Sequence, residues 1–313
     1  DGVHQSVTPA QLSYYNASLS EVDLDARAQE LVEWSAEQGS KDNMTAVLLR
    51  LDELPPVSVN DQLQDPAHLP IAPALSLGQS LDGFKVLDVI SATPRSMVYK
   101  VLCLHSGSTL VLKALSIGLR DDPLAMSALV REAWVANNVK HPQLMHGHEK
   151  PNTPSANYIL LEYVPGTSLR QWMYDHPNAS LDSVRDIIKQ LIRAVRSLHR
   201  LGVQHRDLRP ENIIIQADQK LVLIDYGSVA VAGLNTHVEE RVGALEYAAP
   251  ELILGAPCQQ PDHYSIVVIA YELLTGHSPF AQTPNHWQRY RRLSEFRYRP
   301  IYTSRSDLPH WLN

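Results

Sequence analysis

The stretch His205-Arg206-Asp207-Leu208-Arg209-Pro210-Glu211-Asn212 is followed by Ile213-Ile214-Ile215, a polar turn over residues 217–220, Leu221-Val222-Leu223-Ile224, and then Asp225-Tyr226-Gly227. Two short apolar runs joined by a polar turn predict a β-hairpin. Antiparallel pairing sets the residue before the first strand beside the residue after the second, so Asn212 and Asp225 meet at one end. Asp207 hangs on the loop just before it. Side-chain oxygens converging in this way suit a hard cation such as Mg²⁺, with phosphate oxygens completing its shell.

Upstream of the hairpin, residues 84–90, 97–104 and 109–115 read as strands, with Ser106-Gly107 as the turn between the last two. Asp121-Asp122-Pro123 carries an acidic cap and a proline at the first helical position, which predicts a helix running to about Val139. A second helix is predicted from Asp182, with Ile187, Ile188, Leu191, Ile192, Val195 and Leu198 on one face and Gly202 at its end. Strands early and helices late predict an α+β, two-lobed architecture.

The chain has 313 residues, enough for about two domains, and 44% hydrophobic residues support a sizeable core. A net charge of −7 argues against a nucleic-acid partner. Cys103 and Cys258 are far apart and lack metal-ligand spacing, as expected of small core residues in a reducing cytoplasm. No signal peptide opens the chain, and its longest apolar stretch, residues 266–270, is too short to span a bilayer, so no membrane contact is expected in this stretch of chain. A membrane anchor beyond Asn313 stays open.

The hairpin and its flanks resemble the catalytic loop and metal-binding motif of the eukaryotic-type Ser/Thr protein kinases. The resemblance implies that Asp207 is the catalytic base, that Asn212 and Asp225 bind Mg²⁺, and that Arg209 stands where the family carries a catalytic-loop lysine. Lys113 in Leu110-Val111-Leu112-Lys113 resembles the strand lysine, sharing a strand face with Val111. Glu132 resembles its ion-pair partner on the following helix. Leu161-Glu162-Tyr163-Val164 is similar to the gatekeeper and hinge that hold adenine, and Val98 and Ile214 to the residues that sandwich the ring. Ala249-Pro250-Glu251 closes the activation segment, and Asp262 resembles the aspartate that braces the catalytic loop. ATP and Mg²⁺ as cofactors, and a protein substrate bearing Ser or Thr, follow from the resemblance. Arg206 would pair with a phosphate on Ser228 or, better placed, Thr236.

One element departs from the family pattern. The glycine-rich nucleotide loop reads Ser91-Ala92-Thr93-Pro94-Arg95-Ser96-Met97-Val98, with Ser91, Thr93 and Ser96 in place of the three glycines. Gly243-Ala244 also lacks a common threonine. The alternative reading is therefore a pseudokinase, a scaffold that binds nucleotide weakly or not at all. Backbone amides around Ser91 and Ser96 would still face the phosphates on the kinase reading.

Residues 1–52 form a separate zone. Leu24, Ala28, Leu31, Val32 and residues 34–36 follow a helical apolar face, Gly39 stands at its C-cap, and residues 44–51 read as a strand buried on both faces. Asp1-Gly2-Val3, Ala28-Gln29-Glu30-Leu31-Val32 and the run from Gly39 through Asp42-Asn43 to Val47 resemble the C-terminal end of a PP2C-type phosphatase, an α/β sandwich in which Asp1 and Asp42 would bind Mn²⁺ or Mg²⁺. Asp42 also reads as a simple turn aspartate. Residues 53–78, rich in proline and without Lys or Arg, read as a linker, which leaves 79–313 as a kinase domain ending before its last helices. Phosphatase remnant, linker and kinase in this order resemble bacterial bifunctional kinase/phosphatase fusions. With its other metal ligands presumed upstream, the remnant is expected to show no phosphatase activity by itself.

Overall fold

A computed structural model describes residues 3, 7, 8, 11, 23–48, 69–120, 122–232, 244–254, 258, 260–280, 292–309 and 312. Asp1, residues 49–68, Asp121, Thr236 and Gly243 lie outside them. The chain divides into two units, Asp1–Ser58 and Val59–Asn313.

In the first unit, helix α1 spans Leu24–Glu37, with the Asp23 side chain accepting from the Asp25 amide at its start. Gly39 takes φ 97°, which lets its N–H reach Ala36 O (3.0 Å) and the Ser40 N–H reach Ser35 O (3.2 Å). The predicted glycine cap is thus a Schellman motif. Leu31 packs with Val3 and Val7, and Trp34, Met44 and Ala46 lie against them. The expected strand over residues 44–51 does not form in its described part: 44–48 make no ladder, and Val47 is 75% exposed. β-Forming side chains make a strand only where a neighbouring backbone supplies hydrogen bonds, and no such neighbour exists among the described residues.

The second unit begins with a twisted antiparallel sheet. Strands β1 (Ser80–Leu81), β2 (Phe84–Ala92), β3 (Ser96–Cys103) and β4 (Thr109–Leu115) follow one another closely. Helix α2 (Pro123–Asn138) comes next, its N-cap Asp122 accepting from the amides of Leu124 (2.9 Å) and Ala125 (3.2 Å). Strands β5 (Gly147–His148) and β6 (Ile159–Glu162) complete the sheet in the order β1-β2-β3-β4-β6-β5. Alternation along β4 turns Leu110, Leu112 and Ala114 into a core with Tyr99, Val101 and Tyr158, and leaves Val111 and Lys113 facing the opposite way.

The stretch 69–78, read as linker, belongs to this lobe. Ile71, Ala72 and Leu75 are buried, Asn157 donates to Pro70 O and Leu69 O (both 2.7 Å), and the Leu75 amide donates to the Tyr99 hydroxyl (3.0 Å). Pro70 and Pro73 favour an extended backbone that needs few ladder bonds, so the apolar residues between them press directly onto the sheet.

The larger lobe starts with β7 (Thr167–Ser168) and α3 (Leu169–Asp175). Helix α4 spans Leu181–Arg200, capped by Ser180 rather than Asp182, because the serine hydroxyl accepts from the Ser183 amide (3.1 Å). Its buried stripe runs Val184, Ile187, Leu191, Ala194, Val195 and Leu198; Ile192, assigned to that face, is 39% exposed. Strand β8 (Val203–Gln204) precedes the predicted hairpin, β9 (Ile213–Ile215) and β10 (Leu221–Leu223), and β11 (Ala230–Val231) pairs with β8. Short helix α5 (Pro250–Ile253) leads to α6 (Pro261–Thr275). Val267 of α6 is 66% exposed, and residues 292–309 fold back over the later half of the helix. There the Tyr271 hydroxyl donates to Arg299 O (2.6 Å), Arg305 reaches Leu274 O (3.3 Å), and Ile301 and Leu308 are buried.

Candidate active site

The register of the hairpin, Leu223 opposite Ile213, sets the Ile224 amide on Asn212 O (2.9 Å) and so brings Asp225 beside Asn212. Asp225 holds φ 65°, a costly backbone for a non-glycine residue and one of the strained positions that gather at functional sites. Its Oδ1 accepts from Lys113 Nζ (2.8 Å) and from the Gly227 amide (3.1 Å). Lys113, placed by β4, also meets Glu132 of α2 at 2.8 Å. One ammonium therefore serves two carboxylates. Burial opposes charge on Lys113, yet Asp225 and Glu132 outweigh it and raise its pKa. Burial pushes Glu132 up to about 7 despite Lys113. Burial also opposes the Asp225 charge, but Lys113 wins and holds that carboxyl at about 2. The difference lies in their neighbours: the Asp225 charge adds to the upward push on Glu132, whereas the Gly227 amide adds to the downward pull on Asp225.

Asp207 is held from two sides. Ala244 N–H donates to its Oδ1 (2.9 Å), and Asn212 Nδ2 donates to its Oδ2 (3.2 Å) and backbone O (2.9 Å). Both bonds of the Asn212 amide nitrogen thus go to Asp207, which leaves Asn212 Oδ1 as the atom to face a cation. Burial lifts the Asp207 pKa above its ordinary value, against the pull of the Ala244 amide. Beneath the loop, Asp262 is fully buried and accepts from the amides of His205 and Arg206 (2.8 Å each) and from His199 Nε2 (2.7 Å). His205, also fully buried, spans from the Asp207 amide to Ile224 O and is structural. Arg209 donates to Glu211 Oε2 (2.7 Å), and no hydrogen bond joins it to Asp207. The Tyr226 ring is buried, and its hydroxyl donates to Met145 O (2.9 Å).

A cleft of about 460 Å³ is lined by nearly all the residues expected around a nucleotide: Ser91, Ser96, Val98, Val111, Lys113, Glu132, Glu162, Val164, Asn212, Ile214 and Asp225. Thr93 of the substituted loop lines it too, and so do Ile90, Met145, Gly166 and Ile224, which were not foreseen. Gly166 takes φ 151°, and a Cβ there would lie 2.4 Å from Ile215 O and 2.7 Å from Ile214 Cγ2. Gly166→Ala is therefore expected to lower stability by about 1–3 kcal/mol, because backbone cannot move aside as a side chain tip can. Displacement of Ile214 should weaken nucleotide binding as well; a thermal melt and a nucleotide titration of the variant check both.

A second feature escaped the sequence. Arg170 of α3 donates to Glu211 on the catalytic loop (2.9 Å), to Glu272 on α6 (2.6 Å), and to the Tyr247 hydroxyl. Nothing local signals a network whose members are up to 102 residues apart.

In the first unit, Asp42 is exposed and its Oδ1 caps the Asn43 amide (2.9 Å), the turn role weighed for it. Among the described residues no group of three or more His, Cys, Asp or Glu gathers that could hold a metal ion. No helix among them is long and apolar enough to cross a membrane.

A family model described as the protein kinase domain matches residues 88–312. The maternal embryonic leucine zipper kinase of Xenopus tropicalis is 33% identical over 180 residues, 56% of this chain and 26% of that protein. The serine/threonine-protein kinase RAD53 of Saccharomyces cerevisiae is 28% identical over 232 residues, 69% of this chain and 28% of that protein. A probable serine/threonine-protein kinase, PknB of Lactococcus lactis, is 28% identical over 203 residues, 64% and 32% of the two chains. The chain thus spans only 26% to 32% of the length of these relatives.

Proposed function

The chain belongs to the protein kinase family, and from that premise we propose that it transfers the γ-phosphoryl group of ATP to Ser or Thr hydroxyls of proteins. The observation that carries this reading is the convergence of Lys113, Glu132, Asp225, Asn212 and Asp207 around one cleft with apolar walls. Among the described residues the Val164 amide has no hydrogen-bond partner and stands open to an adenine ring nitrogen, with Val98 and Ile214 above and below. Lys113, steadied by Glu132, grips the α- and β-phosphates. Asp225 and Asn212 supply oxygens of the kind Mg²⁺ takes, the rest of its shell coming from phosphates and water. When bound, Mg²⁺ neutralises charge on the phosphates. Asp207 orients the hydroxyl and takes its proton as the γ-phosphorus bonds to that oxygen and parts from ADP. A base lifted above ordinary carboxylate pKa is better suited to this than an exposed aspartate. Arg209, tied to Glu211, adds positive charge beside Asp207.

The retained base, lysine and cation positions favour catalysis over a scaffold that only binds nucleotide. The test is incubation of the chain with Mg-ATP and an unstructured protein containing Ser, Thr and Tyr, followed by phosphoamino-acid analysis. Label is expected on Ser and Thr; label confined to Tyr, or none, would overturn the reading.

The phosphatase-like reading of residues 1–52 rests on sequence alone. As domain boundaries we propose 1–52 and a linker ending near 68 rather than 78, since residues 69–78 pack on the sheet.

A further inference from the structure

The loop over the phosphate end of the cleft is closed on itself. The Thr93 hydroxyl oxygen accepts from the amides of Arg95 (3.2 Å) and Ser96 (3.0 Å) and donates to Ser96 O (3.1 Å), while the Thr93 amide also donates to Ser96 O (3.0 Å). Pro94, between them, has no N–H to give. The tip is also pinned from behind. The Ser116 amide donates to Arg95 O (2.9 Å), and the Ser116 hydroxyl donates to Pro94 O. Residues 93–95 form the turn between β2 and β3, and with Ser96 they hold the position from which backbone amides of a glycine-rich loop cover phosphates. Here every one of those amides is missing or already satisfied.

Resting on the reading of this cleft as an ATP site, we propose that Thr93 is a positioning residue that withholds the amides of Arg95 and Ser96 from the nucleotide. The phosphate tail is then held from the larger lobe and from β4 alone, by Lys113 and by the cation-binding oxygens of Asn212 and Asp225. The glycines lost from this loop are replaced by a hydroxyl that performs, inside the loop, the acceptor role a phosphate oxygen performs elsewhere. Thr93 is exposed, so removing its hydroxyl leaves no buried polar group behind.

The test compares Kd for MgATP, MgADP and adenosine in the native chain, Thr93→Val and Thr93→Ser. Valine keeps the branched shape and deletes the acceptor. MgATP and MgADP are expected to bind Thr93→Val about fivefold more tightly, the worth of one ordinary hydrogen bond. Adenosine, which has no phosphate, should bind all three proteins alike, and Thr93→Ser, which keeps the hydroxyl, should match the native chain. A Thr93→Val protein with unchanged or weaker MgATP binding overturns the proposal, as does a parallel shift in adenosine. If the native chain binds neither MgATP nor adenosine, the ATP-site reading falls and the role of Thr93 falls with it. Binding of both by the native chain, with no gain in Thr93→Val, removes the role of Thr93 alone. Equal melting temperatures for the three proteins establish that the comparison is made on one fold.

Discussion

Asp207→Asn is expected to lower kcat by about a thousandfold while leaving MgATP affinity within about twofold, which is the effect of deleting a general base from an otherwise assembled site. The split follows from what Asp207 touches. Its carboxylate meets the Ala244 amide and Asn212 Nδ2, and makes no bond to Lys113, Glu132 or the hinge. Asparagine keeps an oxygen for the Ala244 amide. It sets an amide nitrogen against Asn212 Nδ2 and loses that weaker, 3.2 Å contact, but the bond from Asn212 to the backbone O of residue 207 persists. The loop therefore stays in place, and only the ability to accept the hydroxyl proton is lost. Steady-state phosphorylation together with a calorimetric MgATP titration separates the two quantities. Equal kcat in variant and native protein would remove Asp207 from the mechanism.

The parts of the fold that were legible share a short range. The hairpin Ile213–Ile215 with Leu221–Leu223 announces itself through two apolar runs and a polar turn, and its closure alone brings Asn212 to Asp225. Helix α2 was readable from its Asp122-Pro123 start, and α1 from its Gly39 end. The pairing of Lys113 with Glu132 was legible only through family resemblance, since nothing in β4 or α2 by itself says that they approach. Three of the features that were not legible have a common cause. Proline content marked residues 69–78 as linker, although Ile71, Ala72 and Leu75 are apolar enough to bury against the sheet. Residues 44–48 carry strand-forming side chains but no described partner. The hydroxyl of Thr93 folds back on its own loop, and a list of lost glycines does not reveal that a side chain has taken up the freed amides. In each case a residue's own preference was outweighed, or supplemented, by a neighbour that local pattern does not name.

The bracing of the catalytic loop leads to the largest expected effect on stability. Asp262 lies at the start of α6, has no exposed surface, and accepts three hydrogen bonds: two from the successive amides of His205 and Arg206, one from His199. Burial would raise its pKa, but the bond from His199 and the two amides hold it below the ordinary value, so the group is ionised and bound on every side. Arg206 sits at φ 65°, a conformation the chain adopts only under constraint, and the Asp262 carboxylate grips the amides of this residue and the one before it. Asp262→Ala takes the acceptor from one buried and one part-buried N–H group and removes the partner of His199, for a loss of about 3–5 kcal/mol. For a unit of this size that corresponds to a fall in Tm on the order of 10 °C. Asp262→Asn should rescue little of it, because its amide nitrogen turns a donor toward one of the two N–H donors. The loop that loses this brace is the one that carries Asp207, so kcat should fall further than MgATP affinity, whose main contacts at Lys113 and the hinge lie on other elements. A thermal melt and a kinetic comparison of native chain, Asp262→Ala and Asp262→Asn test the argument. An alanine variant that melts within a degree or so of the native chain would mean that the two amides find other acceptors and that the brace does not hold the loop.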